Sequence, residues 1–530
     1  MSPTEIVRIA LLTSYVGVLA VVALYGFHRY MLVYLYVKHR DNVYQPKGKF
    51  AVLPRITVQL PMYNEDIVAE RVIRHTCQID YPLDRLEIQV LDDSTDHSAE
   101  IAKKTVDEWA AKGYPIKYIH RNNRVGYKAG ALAEAMEQAT GDFIAIFDAD
   151  FIPPRDILRN VVDYFTDDKI GMVQVRWDHL NRDASLLTKG QAIFLDGHFV
   201  IEHTARNRSG RFMHFNGTAG VWRRKTINDA GGWQHDTLTE DLDLSYRAQM
   251  KGWQFVYLPQ FCAPAELPPE MIAFKQQAHR WTKGSVQTAI KLLPRIMRSR
   301  QLSYRIKTEA FFHLTNTIVY PLMVLLTLLM YPIFFGYIDQ PELHVAIEAP
   351  LKSHTWGHFL FSVGLFILAT CSASTFFVFG QRELLGKEAG WKSVLYLPFL
   401  MSLGIGVGIN NAKAVIEAIW GAIRRKPSEF VRTQKYGVTG HGKTKWRRDR
   451  VLTPKRLWLP LLEIGFGVYM TVCIAIALMW GFGFSTIPFL LIFAGGYFYV
   501  GFASLHALAK MNQEAAMEAA LAESAEPAST

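Results

Sequence analysis

Long stretches without charged residues are the dominant pattern along the chain. The first, Ile9–Phe27, is followed by the basic residues Lys38–Arg40. Phe311–Ile338 and Trp356–Gly380 are each long enough for one membrane crossing, and the uncharged part of Ile464–Ala509 has room for two. Since basic flanks remain on the cytoplasmic side, Lys38–Arg40 places the N-terminus outside. The pattern predicts a polytopic membrane protein.

The segment between the third and fourth predicted spans has two interpretations. Residues 393–412 carry no charge and are long enough to cross. If they crossed, residues 413–456, with 13 Lys or Arg against three acids, would lie outside, against the positive-inside tendency. We therefore predict that 393–423 is an interfacial or re-entrant segment and that the chain crosses five times.

This interpretation divides the chain into six parts and places it in the cell membrane with its largest polar domain in the cytoplasm. The tail is rich in Ala and Glu, and we predict that it is disordered. The parts are an N-terminal transmembrane helix at 1–40, a cytoplasmic domain at 41–300, two transmembrane helices within 301–392, the interfacial or re-entrant segment with its loop at 393–456, two transmembrane helices within 457–510 that turn at Gly481–Gly483, and the tail at 511–530.

Short apolar strands alternate with helical patterns between residues 41 and 300. The strand patterns are Ile56–Leu60, Leu86–Leu91 and Phe143–Phe147. The helical patterns that follow them are Glu70–Cys77, Ala99–Ala111 and Arg155–Phe165. Such alternation is typical of a mostly parallel α/β sheet, and ligands bind at the carboxyl ends of its strands.

Composition narrows the function classes. The four cysteines are scattered, which excludes a disulfide-stapled domain and a cysteine-based zinc site. The net charge of +10 has its densest cluster at Lys443–Arg450, beside a predicted span, where anionic lipid headgroups are the expected partner. No Walker loop or zinc-finger spacing is present, so we expect no nucleic-acid partner.

Carboxylates follow two of the predicted strands. Asp148 and Asp150 end one strand pattern, and because strand side chains alternate, they share one face. Asp92 and Asp93 end another. Converging carboxylates repel one another unless a cation or a ligand engages them, and hard oxygen donors suit Mg²⁺ or Mn²⁺. A pair of acids at a strand end is also common in simple turns, so this pattern alone leaves both interpretations open.

Two further groups carry chemistry on predicted helices. Asp241 precedes the helical stretch Leu242–Met250, where an acid is either a helix N-cap or, beside other acid clusters, a candidate general base. Gln277, Arg280 and Trp281 share one helical face by their spacing. An amide, a guanidinium and an indole suit a phosphate leaving group beside a stacked sugar, while a structural Trp capped by Arg is the alternative.

These groups, taken in order, resemble the four signatures of processive family 2 glycosyltransferases, which include cellulose, chitin and hyaluronan synthases. The resemblance is closer to the cellulose synthase-like A and C branches, which make mannan and glucan backbones, and it covers about residues 50–290. It implies a Rossmann-like glycosyltransferase-A domain inserted between transmembrane helices. The matching stretches are Asp92–Asp93, Gly126–Leu132, Asp148–Asp150, Phe215–Gly220, Thr239–Asp241, Glu266–Pro268 and Gln277–Trp281.

The resemblance implies a role for each matching position. Asp241 would deprotonate the acceptor hydroxyl, and Asp148 and Asp150 would hold Mg²⁺ or Mn²⁺ on the diphosphate. A single base opposite the leaving nucleotide implies inversion. Contacts to the nucleotide sugar are implied for Glu65, Asp92, Asp93 and Lys128. Contacts to the acceptor or product glycan are implied for Gly217, Thr218, Glu240, Gln277, Arg280 and Trp281.

Residues 429–436 resemble the gating loop that closes over nucleotide in cellulose synthases. Phe430, Thr433 and Lys435 match, while Arg432 stands where that family has Val. A loop that touches nucleotide belongs in the cytoplasm, which agrees with the re-entrant interpretation of 393–423.

The sequence thus predicts an enzyme that elongates a β-linked polysaccharide in the cytoplasm and passes it through its own spans. UDP-glucose is slightly favoured as donor, with GDP-mannose the other choice, and partner subunits for export are compatible with this function. Two alternatives stay open: a transferase that adds one or few sugars to a lipid acceptor, and a non-enzymatic transport or scaffold subunit with structural acids.

Overall fold

The computed structural model describes residues 3–338, 371–425, 428–433, 435–437, 454–479 and 487–525. Most strands begin at β-branched or large apolar residues and end at a turn, as the sequence pattern predicts. Within these residues one sheet is formed by β1 (Ile56–Met62), β2 (Leu86–Asp92), β3 (Ile116–His120), β4 (Phe143–Ile146), β5 (Ile170–His179), β6 (Gly220–Arg223) and β7 (Gln254–Ala265).

Helices connect these strands and continue beyond them. A π-helical segment (Gly197–His203) lies between two of the α-helices. The α-helices are α1 (Pro3–His39), α2 (Asp66–Cys77), α3 (Ser98–Ala111), α4 (Tyr127–Gln138), α5 (Ile157–Val162), α6 (Leu186–Asp196), α7 (Thr204–Arg208), α8 (Arg224–Asp229), α9 (Glu240–Met250), α10 (Met271–Arg298), α11 (Tyr304–Thr315), α12 (Val319–Ile338), α13 (Ser372–Leu385), α14 (Lys387–Ser393), α15 (Leu397–Gly406), α16 (Gly408–Arg424), α17 (Pro454–Met479) and α18 (Ile487–Ala525).

The sheet has the strand order β3-β2-β1-β4-β6-β5-β7. β1 pairs in parallel with β2 and β4, and β2 with β3. β6 is antiparallel to both β4 and β5. The start of β6 therefore lies at the same edge as the carboxyl end of β4, which brings the turn before β6 to the ligand-binding edge.

Apolar side chains pack on both faces of this sheet. Val58, Ile88 and Phe165 belong to one buried cluster, and Ile144, Trp222 and Leu244 belong to another. The central strands are buried on both faces, and their sequences are therefore nearly continuous apolar runs. A sheet covered on both faces holds its edge loops in place, and the candidate site lies on that edge.

Five helical segments among the described residues are long and apolar enough to cross a membrane. Four of them correspond to predicted spans, while residues 356–370 of the predicted span Trp356–Gly380 lie outside the described residues. The segments are Ile9–His39, Tyr304–Met330, Lys387–Arg424, Leu457–Met479 and Ile487–Gln513.

The fifth segment, Lys387–Arg424, is the one for which we predicted an interfacial or re-entrant course. It is interrupted at Val394–Tyr396 and again at Val407, so it is a succession of α14, α15 and α16. On α16 the side chains of Ile416, Ile419, Trp420 and Ile423 are exposed along one side. Because their spacing is three or four residues, they form one apolar face, which is typical of a helix lying in the membrane interface.

Two predicted elements differ in the structure. α18 continues through Ala525, so the prediction of a disordered tail from residue 511 was wrong over most of its length. The reason is composition: Ala, Glu and Met are strong helix formers, and a preceding span supplies the costly nucleus. The predicted helix Arg155–Phe165 is shorter, since α5 ends at Val162 and a 3₁₀ turn follows.

The α/β domain and the apolar helices are joined by a buried ion pair. Lys275 of α10 donates to Glu463 of α17 over 2.6 Å, and both side chains are almost fully buried. Lys275 also contacts the Ser504 hydroxyl at 3.3 Å, and its carbonyl accepts from Asn410 at 3.0 Å. Breaking a buried pair leaves an uncompensated charge, so these contacts fix α10, and the site residues it carries, against the membrane part.

Candidate active site

The candidate site lies at the carboxyl edge of the sheet. The register places Met62, the end of β1, opposite Asp92, the end of β2. β4 ends at Ile146, which is paired with Gly220 at the start of β6. The residues that follow these strand ends, or precede β6, therefore converge on one edge.

A cleft at this edge has about 1240 Å³ of atom-free space, including its open mouth. The cleft brings together residues from strand ends, from α9 and α10, and from the segment at 430–435. The predicted site residues that line it are Glu65, Asp93, Lys128, Asp148, Asp150, Gly217, Glu240, Asp241, Gln277, Arg280, Trp281, Phe430, Thr433 and Lys435.

Two predicted site residues do not line the cleft, and their assignments need correction. The buried Asp92 accepts hydrogen bonds from the Ser94 amide at 2.9 Å and the Tyr118 hydroxyl at 2.7 Å. The hydroxyl of Thr218, also buried, accepts from the Asp148 amide at 2.9 Å. Their polar atoms are occupied by the protein itself, so they hold the strand ends in position behind the cleft.

Asp93 forms a bidentate ion pair with Arg121. Arg121 donates through Nε at 2.7 Å and through Nη2 at 2.5 Å to its two carboxylate oxygens. Both side chains are about 5% exposed. A bidentate guanidinium fixes the plane of the carboxylate as well as its charge, so Asp93 presents a rigid edge to the cleft.

Lys128 connects α4 to the opposite wall of the cleft through hydrogen bonds. Gly126, in the left-handed conformation with φ of +72°, starts the turn that leads into α4. The Lys128 ammonium then donates to Asp148 at 2.5 Å and to the Gly217 carbonyl at 2.8 Å. The side chain of Asp148 stays one-third exposed, at 33%, so one face of its carboxylate is open to a ligand.

Asp150 is the more deeply buried of the two acids after β4. Its Oδ2 pairs with the Lys435 ammonium at 2.6 Å, while Oδ1 has no hydrogen-bond partner among the described residues. Burial raises the pKa of Asp150, and Lys435 opposes that shift. A buried carboxylate oxygen without a donor is costly unless a ligand engages it.

Glu240 and Asp241 begin α9 on the other side of the cleft. Thr239, at the N-cap position, makes no side-chain capping bond, and Asp241 Oδ1 accepts from the Leu242 amide at 2.8 Å. Burial and then the neighbouring charge of Glu240 raise the pKa of Asp241 to about 7. The helix-cap and general-base interpretations are thus compatible, because one oxygen caps and the other faces the cleft.

Gly217 separates Asp241 from Lys128. A Cβ on Gly217 would lie 3.0 Å from Asp241 Oδ2 and 3.5 Å from Lys128 Nζ. Gly217 also has a φ of +81°, which other residues adopt only with strain. Glycine at this position keeps open the space between the base candidate and the acids after β4.

The segment at 428–437 covers the cleft and is anchored at both ends. Gln287 of α10 donates to Ser428 at 2.8 Å. Glu266 accepts from the amides of Tyr436 at 3.2 Å and Gly437 at 3.0 Å. In between, the Phe430 ring stacks on Tyr127 at 5.7 Å and lies under the Arg280 guanidinium at 4.8 Å. Phe430, Thr433 and Lys435 line the cleft.

Comparisons with known proteins agree with this arrangement. Residues 54–284 match the model of the glycosyltransferase-like family 2. The chain is similar to glucomannan 4-beta-mannosyltransferase 1 of Cyamopsis tetragonoloba, with 32% identity over 458 residues, 85% of this chain and 81% of that protein.

This chain belongs to the family 2 glycosyltransferases.

Other relatives match over shorter stretches. Glucomannan 4-beta-mannosyltransferase 7 of Arabidopsis thaliana is 43% identical over 258 residues, 48% of this chain and 46% of that protein. The chain thus spans about half the length of several curated relatives that it matches. Among solved structures, a mannosyltransferase from Pyrobaculum calidifontis in complex with GDP-Man and Mn²⁺ is similar, with 21% identity and a TM-score of 0.46 over 74% of this chain and 99% of that one.

The family match confirms two predictions from the sequence. The four motifs were assigned to family 2 glycosyltransferases of the cellulose synthase superfamily, and the relatives are of the cellulose synthase-like A type. The α/β domain was predicted to be of the glycosyltransferase-A type, flanked by apolar helices, and it is. The sheet is mixed in detail, because β6 runs against its neighbours.

Several cleft residues of this glycosyltransferase were not predicted. Tyr63 follows β1, and Arg124 precedes α4. The Arg124 guanidinium lies 3.4 Å from the centre of the Tyr63 ring. Glu266 follows β7 and is paired with Arg71 at 2.7 Å. The position of Tyr63 and Glu266 after strand ends is a signal that the strand-end rule could have used. Trp177 lies within β5 and Asn216 lies in the turn before β6, so the strand-end rule does not select them.

Proposed function

We propose that this glycosyltransferase is an inverting, metal-dependent β-glycan synthase. It transfers a hexose from a nucleotide sugar to the end of a growing β-linked polysaccharide. The observation that carries the proposal is the position of Asp241, which faces Lys128 and Asp148 across the open space at Gly217. A base on one wall and donor-holding acids on the other suit an in-line displacement at a sugar carbon between them.

Asp241 is the base in this proposal. The acceptor hydroxyl gives its proton to Asp241 Oδ2 and attacks the anomeric carbon from the side opposite the leaving diphosphate. A pKa near 7 suits this role, because about half of such a base is deprotonated at neutral pH and it still binds the proton it removes. One displacement inverts the anomeric centre, so an α-linked donor gives a β-linked product.

Asp148 and Asp150 would hold the divalent cation, Mg²⁺ or Mn²⁺. The residues fit: Asp148 is partly open to the cleft, and the buried Asp150 Oδ1 has no donor in the described part of the chain. Carboxylate oxygens are the ligands that both cations prefer. When bound, the cation neutralises charge on the diphosphate. Lys128 and Lys435, which pair with these acids, stand beside the same phosphates.

The donor's nucleotide lies, in this proposal, between the end of β1 and the segment at 428–437. Glu65 and Asp93 line that part of the cleft, and Arg432 lies 3.9 Å from Glu65. Burial raises the pKa of Glu65 to about 7 despite the nearby Lys435 and Arg432, so Glu65 can donate a hydrogen bond to a base or ribose when protonated.

The donor sugar is proposed to be mannose, carried as GDP-mannose. The relatives that cover most of this chain are named glucomannan 4-beta-mannosyltransferases, which supports a mannosyl donor over the UDP-glucose that the sequence slightly favoured. UDP-glucose remains the comparison donor for the experiment.

The acceptor is proposed to be the glycan itself. Gln277, Arg280 and Trp281 project from α10 into the cleft beside Glu240, which gives a stacking and hydrogen-bonding platform for a terminal sugar. Repeated addition requires such a platform. A lipid acceptor that takes one or few sugars is the alternative, and the exposed apolar face of α16 is the feature that favours it.

We further propose that the catalytic domain and residues 413–456 face the cytoplasm of a cell-membrane protein. The polymer then crosses through the spans, with membrane lipids and any export subunits as partners. The contacts of residues 428–437 with the cleft support this topology, since both must lie on one side of the membrane.

A Cys introduced at Gly440 should resist a membrane-impermeant thiol reagent in intact cells. Labelling there before lysis would contradict the topology.

Product analysis tests the function. Purified protein in lipid nanodiscs receives Mn²⁺ and labelled GDP-mannose or UDP-glucose, in separate reactions. We expect a polymer from GDP-mannose that an endo-β-mannanase degrades and an endo-β-glucanase does not. A labelled lipid product without polymer would favour the alternative acceptor. Release of neither GDP nor UDP would reject a glycosyltransferase activity for these donors.

A further inference from the structure

Four histidines cluster behind the acceptor side of the cleft. His198 and His203 lie on the π-helical segment, His214 precedes β6, and His313 belongs to α11. In a π-helix, residues five apart lie above one another, which is why His198 and His203 meet at a ring-centre distance of 4.5 Å. The cluster is distinct from the acids after β4 and takes no part in the proposed displacement.

Three of these histidines have the donor geometry of a metal site. One ring nitrogen from each of His198, His203 and His214 lies within 4.8 Å of the other two. Tetrahedral zinc bound at about 2.0–2.1 Å holds its nitrogens roughly 3.4 Å apart, so the rings would close by at most about 1.5 Å. Small side-chain rotations are enough for that movement.

Of the three histidines, His203 has the fewest hydrogen bonds of good geometry within the described residues. The side chain is fully buried, and neither ring nitrogen has a hydrogen-bond partner of good geometry among the described residues. His214 Nδ1 and Asn216 Oδ1 are in the same condition. Unpaired buried polar atoms are rare and costly, and a bound metal ion would satisfy one nitrogen of each ring.

His198 is already oriented as a metal ligand would be. Its Nδ1 is hydrogen-bonded to Glu202 at 2.8 Å, which leaves Nε2 directed toward Asn216 at 3.1 Å. A carboxylate on the far nitrogen of a ligating histidine fixes the ring and raises its basicity. The same Asn216 amide lies 3.2 Å from His214 Nε2, so Asn216 links the two rings and would give up one of these contacts to a metal ion.

Charged groups surround the cluster and pair with one another. The buried Arg206 pairs with Glu309 at 2.9 Å and with Glu202 at 3.3 Å. Glu309 is also paired with His28 at 3.0 Å. Because these charged groups already have partners, the donors that remain for a metal ion are the imidazole nitrogens.

We propose that His198, His203 and His214 form a binding site for a transition-metal ion of the zinc class. Three neutral imidazoles with one remaining position, for water or the Asn216 amide, are a common zinc ligand set. The ion would join the π-helical segment to the residues before β6. Because Asn216 precedes Gly217, whose carbonyl holds Lys128, the site would position one wall of the cleft without touching the reacting atoms.

Metal content measures the site directly. The protein is purified with a tag that contains no histidine, incubated with Zn²⁺, freed of unbound metal and analysed by mass spectrometry. We expect about one tightly held zinc ion per wild-type chain, and a loss of at least about fivefold in His203→Gln and in His214→Gln. Co²⁺ in place of Zn²⁺ should give the visible absorption of a tetrahedral site, which the variants lack.

Two matched variants separate this site from other metal binding. His97→Gln removes an exposed histidine that pairs with Asp66, and it should keep the zinc. Asp150→Asn alters the proposed catalytic cation site and should keep it as well. Wild-type protein without zinc and without the Co²⁺ band would overturn the proposal. So would full zinc content in His203→Gln. If that variant fails to fold, His214→Gln and the Co²⁺ titration of the wild type still decide.

Discussion

Buried carboxylates at the two edges of the same sheet differ in their hydrogen-bond donors and in the direction of their pKa shifts. At the amino edge, Glu87 accepts hydrogen bonds from the Thr57 hydroxyl at 2.7 Å, the Thr140 amide at 2.7 Å and Lys117 at 2.9 Å. These donors lower the pKa of Glu87 although burial opposes them. At the carboxyl edge, burial raises the pKa of Asp150 and of Asp241.

The difference comes from the donors, since all three acids are drawn from the same sheet and its helices. Glu87 has donors on both oxygens, whereas Asp150 Oδ1 has none in the part of the chain that the structure describes. A protein stabilises an acid that has only a structural task. It leaves partly unsatisfied the acids that a ligand or a proton must engage, and such perturbed groups collect at functional sites.

The largest effect is expected from the acids after β4. Asp150→Asn should reduce transfer below detection while the protein still folds, because Asn keeps the shape but loses the charge that would hold the divalent cation on the diphosphate. EDTA should do the same to the wild type. Labelled polymer yield measures both.

Asp156→Asn is the matched control, since Asp156 is an exposed acid shortly after the same strand. It should keep wild-type activity. Wild-type turnover in metal-free buffer would remove the metal assignment, and so would an Asp150→Asn enzyme that still responds to added Mn²⁺ as the wild type does.

Asp241→Asn is expected to have the next largest effect. Asn can still accept the bond from the Leu242 amide, so the helix start is preserved. It does not take up the acceptor proton, and a general base contributes about 10²–10⁴-fold in rate. We expect transfer at under about a hundredth of the wild-type rate, with donor affinity within a few-fold, measured by initial rates and by donor binding.

Each other outcome has a clear meaning. Near-normal polymer yield would show that Asp241 is only a helix cap. Loss of donor binding would move it to the nucleotide side of the cleft.

The pH dependence tests the raised pKa itself. The base must be deprotonated, and a pKa of about 7 means that Asp241 takes up its proton as the pH falls below neutrality. The rate constant kcat/KM should therefore fall about tenfold per pH unit below that pKa and level off above it. The residual activity of Asp241→Asn should lack this inflection. A wild-type inflection near the usual carboxyl range of about 4 would contradict the environment described for Asp241.

Much of the carboxyl edge could be predicted from sequence, because it depends on local rules. Alternating side chains and the strand-end rule predicted that Asp148, Asp150 and Asp93 lie at this edge, and all three line the cleft. The same rules could not separate Asp93 from Asp92. That choice depends on Tyr118, a residue of the neighbouring strand that takes up the Asp92 carboxylate.

The remainder of the site depends on contacts between distant parts of the chain. Thr218 was assigned to the acceptor, but its hydroxyl is turned to the Asp148 amide, 70 residues away in the chain. The pairing of Lys435 with Asp150 joins residues that are far apart in the chain. No periodicity encodes such contacts, since they depend on how the helices and strands pack. The histidine cluster was missed for the same reason, because its members become neighbours only through the π-helical segment and α11.

The smallest effect on activity is expected at the amino edge. Glu87→Gln keeps the shape but removes the charge that accepts from Thr140 and Lys117, so it should cost about 1–3 kcal/mol of stability. Transfer by the folded enzyme should stay at the wild-type rate, since Glu87 lies at the far end of the strands. Because the pKa of Glu87 is lowered by folding, its contribution is present above the ordinary value of 4.5 and is lost as the pH falls through the folded value.

Melting curves in detergent at neutral and acidic pH measure this contribution. The gap between wild type and Glu87→Gln should narrow as the pH falls. Asp107→Asn is the control, since that acid is exposed and pairs only with Lys103 one turn away; such pairs contribute under about 1 kcal/mol. If Glu87→Gln melted like this control, or if it lost transfer while keeping its stability, the division of the sheet into a stabilising edge and a reactive edge would be wrong.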